Sequence, residues 1–358
     1  MAYELRIWFA VSIISLALQS LVHGKPQVPC YFIFGDSLVD NGNNNALQTI
    51  EKVNYLPYGI DFPEGPTGRF CNGRNLADII GQLLGFDRFI QPFATAKGWD
   101  ILMGVNYGSG GAGIRDETGQ QLGDRISMNK QLQNYQTTIS HIANLLGSKK
   151  AAAKYLNKCL YSVAMGSNDY ISNYLMPQIY PSSSLYTPEQ YATVLIQQYS
   201  QQLRTLYKYG ARKVTIFGLG LIGCTPGEIG SHGTNGSACV DMINNDVKLF
   251  NDQFKCLVDD LNKDLPDAQF IFINVTQISS GDPSVIGITV TNAPCCTVSP
   301  TTGKCVANQV PCNNRSMFEF WDAFHPTEIA NVLVGSRAYN AQTPLDAYPL
   351  DIRRLAQL

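Results

Sequence analysis

Ser37, in Phe34-Gly35-Asp36-Ser37-Leu38-Val39-Asp40, and the pair Asp322 and His325, in Phe320-Trp321-Asp322-Ala323-Phe324-His325-Pro326-Thr327, have the residue types that nucleophilic chemistry needs. A serine hydroxyl attacks a carbonyl only when a base of near-neutral pKa takes its proton, and histidine is the side chain suited to that. Asp and His three residues apart can share one face of a turn. The carboxylate then accepts from one ring nitrogen while the other points outward, which is the orienting half of a serine triad. Pro326 biases His325 away from the helical region and suits the first turn of the next helix, so the histidine falls at a loop-to-helix junction. The chain has four histidines, one of them at position 23. His141 lies in an amphipathic helical pattern and reads as structural, and His232 lies in a Gly/Ser-rich loop with no acid beside it. His325 alone has a partner at the right spacing. Taken singly, Gly35-Asp36-Ser37 also suits a turn leading into a helix cap.

A tetrahedral oxyanion needs donors that do not titrate. Asn168, in Met165-Gly166-Ser167-Asn168-Asp169, offers a neutral amide after a strand that Gly166 allows to turn sharply, although an Asx turn accounts for the same residues. Gly108-Ser109-Gly110-Gly111-Ala112-Gly113 offers backbone N–H groups that can approach an anion closely. This stretch and Gly218-Leu219-Gly220-Leu221-Ile222-Gly223 both fit the G-x-G-x-x-G pattern. The first runs into a loop. The second is followed by Cys224-Thr225-Pro226-Gly227, where no helix is expected to start and receive a pyrophosphate, so neither reads as a dinucleotide site.

These residues need a scaffold, and the pattern from residue 28 onward alternates apolar strands with amphipathic helices. Strands are predicted at 28–34, 104–107, 159–165, 213–217 and 269–274. Helices are predicted near 75–84, 126–146, 188–209 and 240–261, and after Pro326. Such alternation implies a three-layer, doubly wound α/β domain around a mostly parallel five-stranded sheet of flavodoxin-like order. Ser37 then falls just past the carboxyl end of the first strand, where sheets of this kind place their ligands. The segments 41–67 and 281–320 must run over the surface, and Tyr55, Tyr58, Tyr170 and Tyr174 are candidates either to line a groove there or to pack.

The 358 residues are 45% hydrophobic and 15% charged, with a net charge of −2. That balance offers nothing to nucleic acid or to an anionic membrane. Residues 1–24 read as a signal peptide, with an apolar run too short for a stable membrane anchor, leaving 25–358 as a single exported domain. Export to an oxidising compartment favours disulfides among the ten cysteines. Cys224 and Cys239 can close one excursion. Cys295, Cys296, Cys305 and Cys312 suggest two bridges, or one local and one distant. Asn235, Asn274 and Asn314 open N-glycosylation sequons.

Together these stretches resemble the GDSL esterase/lipase family, in particular its secreted plant branch within the SGNH hydrolases. Four blocks occur in the family's order: Phe32 through Asn45, Pro66 through Arg74, Asn106 through Gly111, and Trp321 through Thr327. The resemblance implies Ser37 as nucleophile, His325 as base and Asp322 as its orienting partner. It also implies an oxyanion hole formed by Ser37, Asn168 and Gly111, with Gly110 as the alternative glycine. Gly108 stands where the family usually has alanine, which is expected to loosen the turn. The implied activity is hydrolysis of a small-molecule or polymeric ester, such as an acyl lipid, with no metal or organic cofactor. An acyltransferase would use the same triad, and a secreted carbohydrate- or lipid-binding glycoprotein would need none of it.

Overall fold

A computed structural model describes residues 25–358, so the proposed signal peptide lies outside the described residues. Four parallel strands, β1 (Tyr31–Gly35), β2 (Leu160–Ala164), β3 (Lys213–Phe217) and β4 (Gln269–Ile273), are hydrogen-bonded in sequence order. A two-residue antiparallel strand, β7 (Ala347–Tyr348), closes the β4 edge. The expected strand at 104–107 is reduced to bridges: Asn106 pairs with Ile33 on one side and with Pro92 on the other. It still lies beside β1, through Ile33 N–H to Val105 O and Tyr107 N–H to Ile33 O, so the flavodoxin-like order holds with an irregular edge.

Both faces of the sheet are covered because alternate side chains on each buried strand point to opposite sides. Phe32 and Phe34 join one core with Tyr107, Tyr135, Tyr161 and Tyr199. Tyr31 and Ile33 join the other with Ile80, Ile271, Ile352 and Leu355. The second face is covered by α1 (Leu76–Leu83), α8 (Glu328–Tyr339) and α9 (Ile352–Gln357). The first is covered by α2 (Met128–Leu145), α3 (Lys149–Leu156), α4 (Pro188–Lys208), α6 (Asp241–Asn251) and α7 (Phe254–Asp264). The helix expected over 240–261 is thus two, interrupted at Asp252 and Gln253.

A short helix, α5 (Pro226–His232), corrects the expectation that none could begin after Gly223. Thr225 caps it and Pro226 occupies its first turn, where a missing N–H costs nothing. In the long segment 281–320 two short strands pair in parallel, β5 (Val290–Pro294) and β6 (Phe318–Phe320). Disulfides Cys295–Cys312 and Cys296–Cys305 staple that segment, Cys224–Cys239 closes the excursion that contains α5, and Cys30–Cys159 joins the starts of β1 and β2. Among the described residues no helix is long and apolar enough to cross a membrane.

Candidate active site

In register, Gly35, Ala164, Phe217 and Ile273 lie side by side at the carboxyl ends of β1 to β4. Whatever follows these residues emerges on one edge of the sheet. At Gly35 a β-carbon would sit 2.5 Å from Ala164 O, so only glycine lets the two strand ends approach this closely. Gly166, at φ +132°, turns the chain out of β2 and delivers Asn168 to the same edge.

The Ser37 hydroxyl lies 2.8 Å from His325 Nε2, and His325 Nδ1 lies 2.9 and 2.8 Å from the two oxygens of Asp322. With Nδ1 donating to the carboxylate, Nε2 is left to accept from serine. Asp322 Oδ1 also accepts from the N–H groups of Phe324 and His325, each at 2.8 Å, so the turn between the two residues is closed by its own carboxylate. Burial pushes the His325 pKa down, but the Asp322 charge overrides it and holds the imidazole above its ordinary value. Burial likewise opposes ionisation of Asp322, and the His325 contact outweighs it to hold the carboxyl below its ordinary value. Phe70 packs on the His325 ring at 4.8 Å.

Among the described residues the N–H groups of Ser37 and Gly111 have no hydrogen-bond acceptor, whereas Gly110 N–H is taken by Asp40 Oδ2 at 3.0 Å. The Asn168 amide donates to Ala112 O at 2.9 Å, which aims its head group at the same glycine loop and leaves its second N–H hydrogen uncommitted. That loop is held from the first block. Asn43 Nδ2 donates to the carbonyls of Asn106 and Gly108, and Asn44 Nδ2 donates to Gly110 O. Asp40 also accepts from Gly42 and Asn43, and although burial pushes its pKa up to about 6 it remains ionised at neutral pH. Gly108 does not loosen the turn as expected: a β-carbon there would lie 2.9 Å from Val39, so glycine makes the contact closer.

The site opens into a cleft of about 1800 Å³ whose walls include Leu175, Met176, Leu219, Ile222 and Ile288. Tyr58 and Tyr170 are fully buried and Tyr174 nearly so, which decides the open alternative for them in favour of packing. Tyr55 is partly buried against the disulfide-stapled cluster. His141 is exposed on α2. His232, expected to have no acid nearby, lies 3.2 Å from Glu228 one turn earlier on α5. Two features were not foreseen. Tyr58 donates to Asp322 Oδ2 at 2.6 Å, and a buried Lys304–Glu51 ion pair at 2.5 Å lines the cleft beside the histidine. Among the described residues no three His, Cys, Asp or Glu side chains gather as a metal site.

The chain matches the model of the GDSL-like lipase/acylhydrolase family over residues 31–338. It is 53% identical to a GDSL esterase/lipase of Arabidopsis thaliana over 93% of each chain. It is 50% identical to a second from the same plant over 99% of each, and 48% identical to a third over 96% of this chain and 97% of the relative. Matched across nearly its whole described length, the chain belongs to the GDSL-like lipase/acylhydrolase family and is a carboxylic ester hydrolase of that type.

Proposed function

We propose that this protein is a secreted serine esterase/lipase that works through a Ser37-His325-Asp322 triad and an acyl-enzyme intermediate. The observation that carries the reading is the unbroken line from Ser37 Oγ through His325 Nε2 and Nδ1 to Asp322, with each step between 2.8 and 2.9 Å. His325 takes the hydroxyl proton as Ser37 attacks the ester carbonyl. The oxyanion is stabilised by the N–H groups of Ser37 and Gly111 and the amide of Asn168, and Gly111 is preferred to Gly110 because its N–H is uncommitted. His325 then protonates the departing alkoxide, and water, deprotonated by the same histidine, releases the acid. The apolar walls of the cleft suit an acyl chain.

Export is supported by four disulfides, which persist in oxidising compartments, and by the signal-peptide pattern of residues 1–24. Of the three sequons, Asn235 and Asn314 are exposed, whereas Asn274 is partly buried and caps a helical turn through its side chain. Asn235 and Asn314 are therefore the better glycan acceptors.

The test is labelling of the purified, secreted protein with a fluorophosphonate, mapped by mass spectrometry. The adduct is expected on Ser37 and is expected to disappear in His325→Ala, while Ser37→Ala loses nearly all esterase turnover. Wild-type turnover in Ser37→Ala would overturn the reading.

A further inference from the structure

Asp322 accepts four donors. Three come from its own turn: the N–H groups of Phe324 and His325 and the imidazole Nδ1. The fourth is the Tyr58 hydroxyl, 264 residues away in the sequence, which donates to Oδ2 at 2.6 Å. The same phenol oxygen accepts from Cys305 N–H at 3.1 Å, within the loop closed by Cys296–Cys305. Its ring is fully buried and meets Tyr55, Phe70 and Trp321 edge-on. The phenol is thus fixed by packing and by the Cys305 N–H, with its proton directed at the oxygen that also accepts from His325 Nδ1.

We propose that Tyr58 is a positioning residue of the hydrolytic reaction, which fixes Asp322 Oδ2 against His325 Nδ1 and, by drawing charge from that carboxylate, limits how tightly the imidazole holds its proton. The inference rests on the triad reading above. Its physical basis is that a hydrogen bond to an ionised acceptor is strong and disperses the acceptor's charge. Burial and the adjacent carboxylate push the Tyr58 pKa well above the ordinary tyrosine value, so the phenol stays a donor at any pH where the enzyme works. The other ionisable groups facing the pair are Asp36 beside the nucleophile, Tyr55, and the Lys304–Glu51 ion pair. None of them donates to Asp322.

Tyr58→Phe keeps the ring and deletes the donor. With a neutral ester substrate, kcat is expected to fall about tenfold with little change in KM. The acid limb of kcat/KM is expected to move to higher pH by about half to one unit, because His325 now faces a less dispersed charge. Tyr55→Phe is the control: its hydroxyl donates to Cys305 O at 3.1 Å, tying down the same loop without touching the triad, and its acid limb is expected to match the wild type. Site-specific replacement of Tyr58 by 3-fluorotyrosine gives a stronger donor of nearly the same shape, and should move the limb to lower pH even if the phenylalanine variant folds poorly. An unchanged limb with both replacements at Tyr58, or an equal shift in Tyr55→Phe, overturns the proposal. Ser37→Ala, assayed alongside, separates this from the parent reading: retained turnover there would sink the triad itself, whereas its loss combined with an unshifted limb at Tyr58 sinks only the positioning role.

Discussion

A hydrogen-bond donor is useful to a transition state only if the ground state leaves it free and something else holds it in place. Asn168 meets both conditions, since one amide hydrogen is spent on Ala112 O at 2.9 Å and the other has no partner among the described residues. Asn168→Ala is therefore expected to lower kcat by about a hundredfold to a thousandfold with KM nearly unchanged, and steady-state kinetics on one ester would check it. A fall in affinity with kcat intact would assign the amide to substrate binding instead. That Ser37, Asp322 and His325 meet, with Asn168 at the same sheet edge, was legible because each sits in a short block of telling residue types and spacing. Tyr58 and the Lys304–Glu51 pair were not, because their partners lie 264 and 253 residues away and no local pattern links them. The Glu228 and His232 pair was missed for another reason. Its i, i+4 spacing is a helical signal, and it was hidden by the expectation that no helix starts at Cys224-Thr225-Pro226-Gly227, where Pro226 in fact opens one.

The placement of Ser37, the proposed nucleophile, depends on how β1 ends, and that end is completed by a helix. Gln131, fully buried on α2, donates from Nε2 to Gly35 O at 2.7 Å and accepts Gly35 N–H at Oε1, 3.0 Å away. Its amide thus serves as a neighbouring strand two residues before Ser37. Gln131→Leu, of similar size, leaves the Gly35 N–H buried without a partner, at about 1–3 kcal/mol, while Gly35 O keeps the Ser109 N–H at 3.1 Å. Urea unfolding should show a stability loss of that order, and turnover should drop because the turn carrying Ser37 is no longer anchored. A variant as stable as the wild type would mean that water replaces the amide. The strands and long helices were legible from periodicity. The segment at 104–107 was not fully so: it begins at Gly104, is followed by Gly108, and makes only bridges, at Asn106 to Ile33 and Pro92. The α3 and α9 helices escaped because their amphipathic patterns are too short to stand out.

Taken as a whole, the molecule buries acids where it needs rigid anchors, and this sets its response to pH. Burial pushes Asp36 and Glu228 up to about 7, and Asp40 and Asp169 up to about 6. An unfolded chain would release these protons near pH 4. Between about pH 4 and 7 the folded state therefore binds more protons, and stability falls as pH rises. His325 acts in the same direction: its folded pKa is raised, so its contribution is full below about 6.5 and is lost as pH climbs through the folded value. Opposing groups act at lower pH. Asp346 is buried, yet Arg337 and Thr343 hold it down to about 2, and Asp322 is lowered as well, so their contributions are lost only on stronger acidification. The expected result is a Tm that rises by several degrees from about pH 8 to about pH 5 and falls again below about pH 4. Turnover should run the other way across the first interval, because His325, as the proposed base, must be neutral to take the Ser37 proton. Differential scanning calorimetry beside a pH-rate profile would test both trends. A Tm that is flat or declines from pH 8 to 5 would mean that the buried carboxylates around the nucleophile are ionised in the fold at no cost, held by their N–H donors alone.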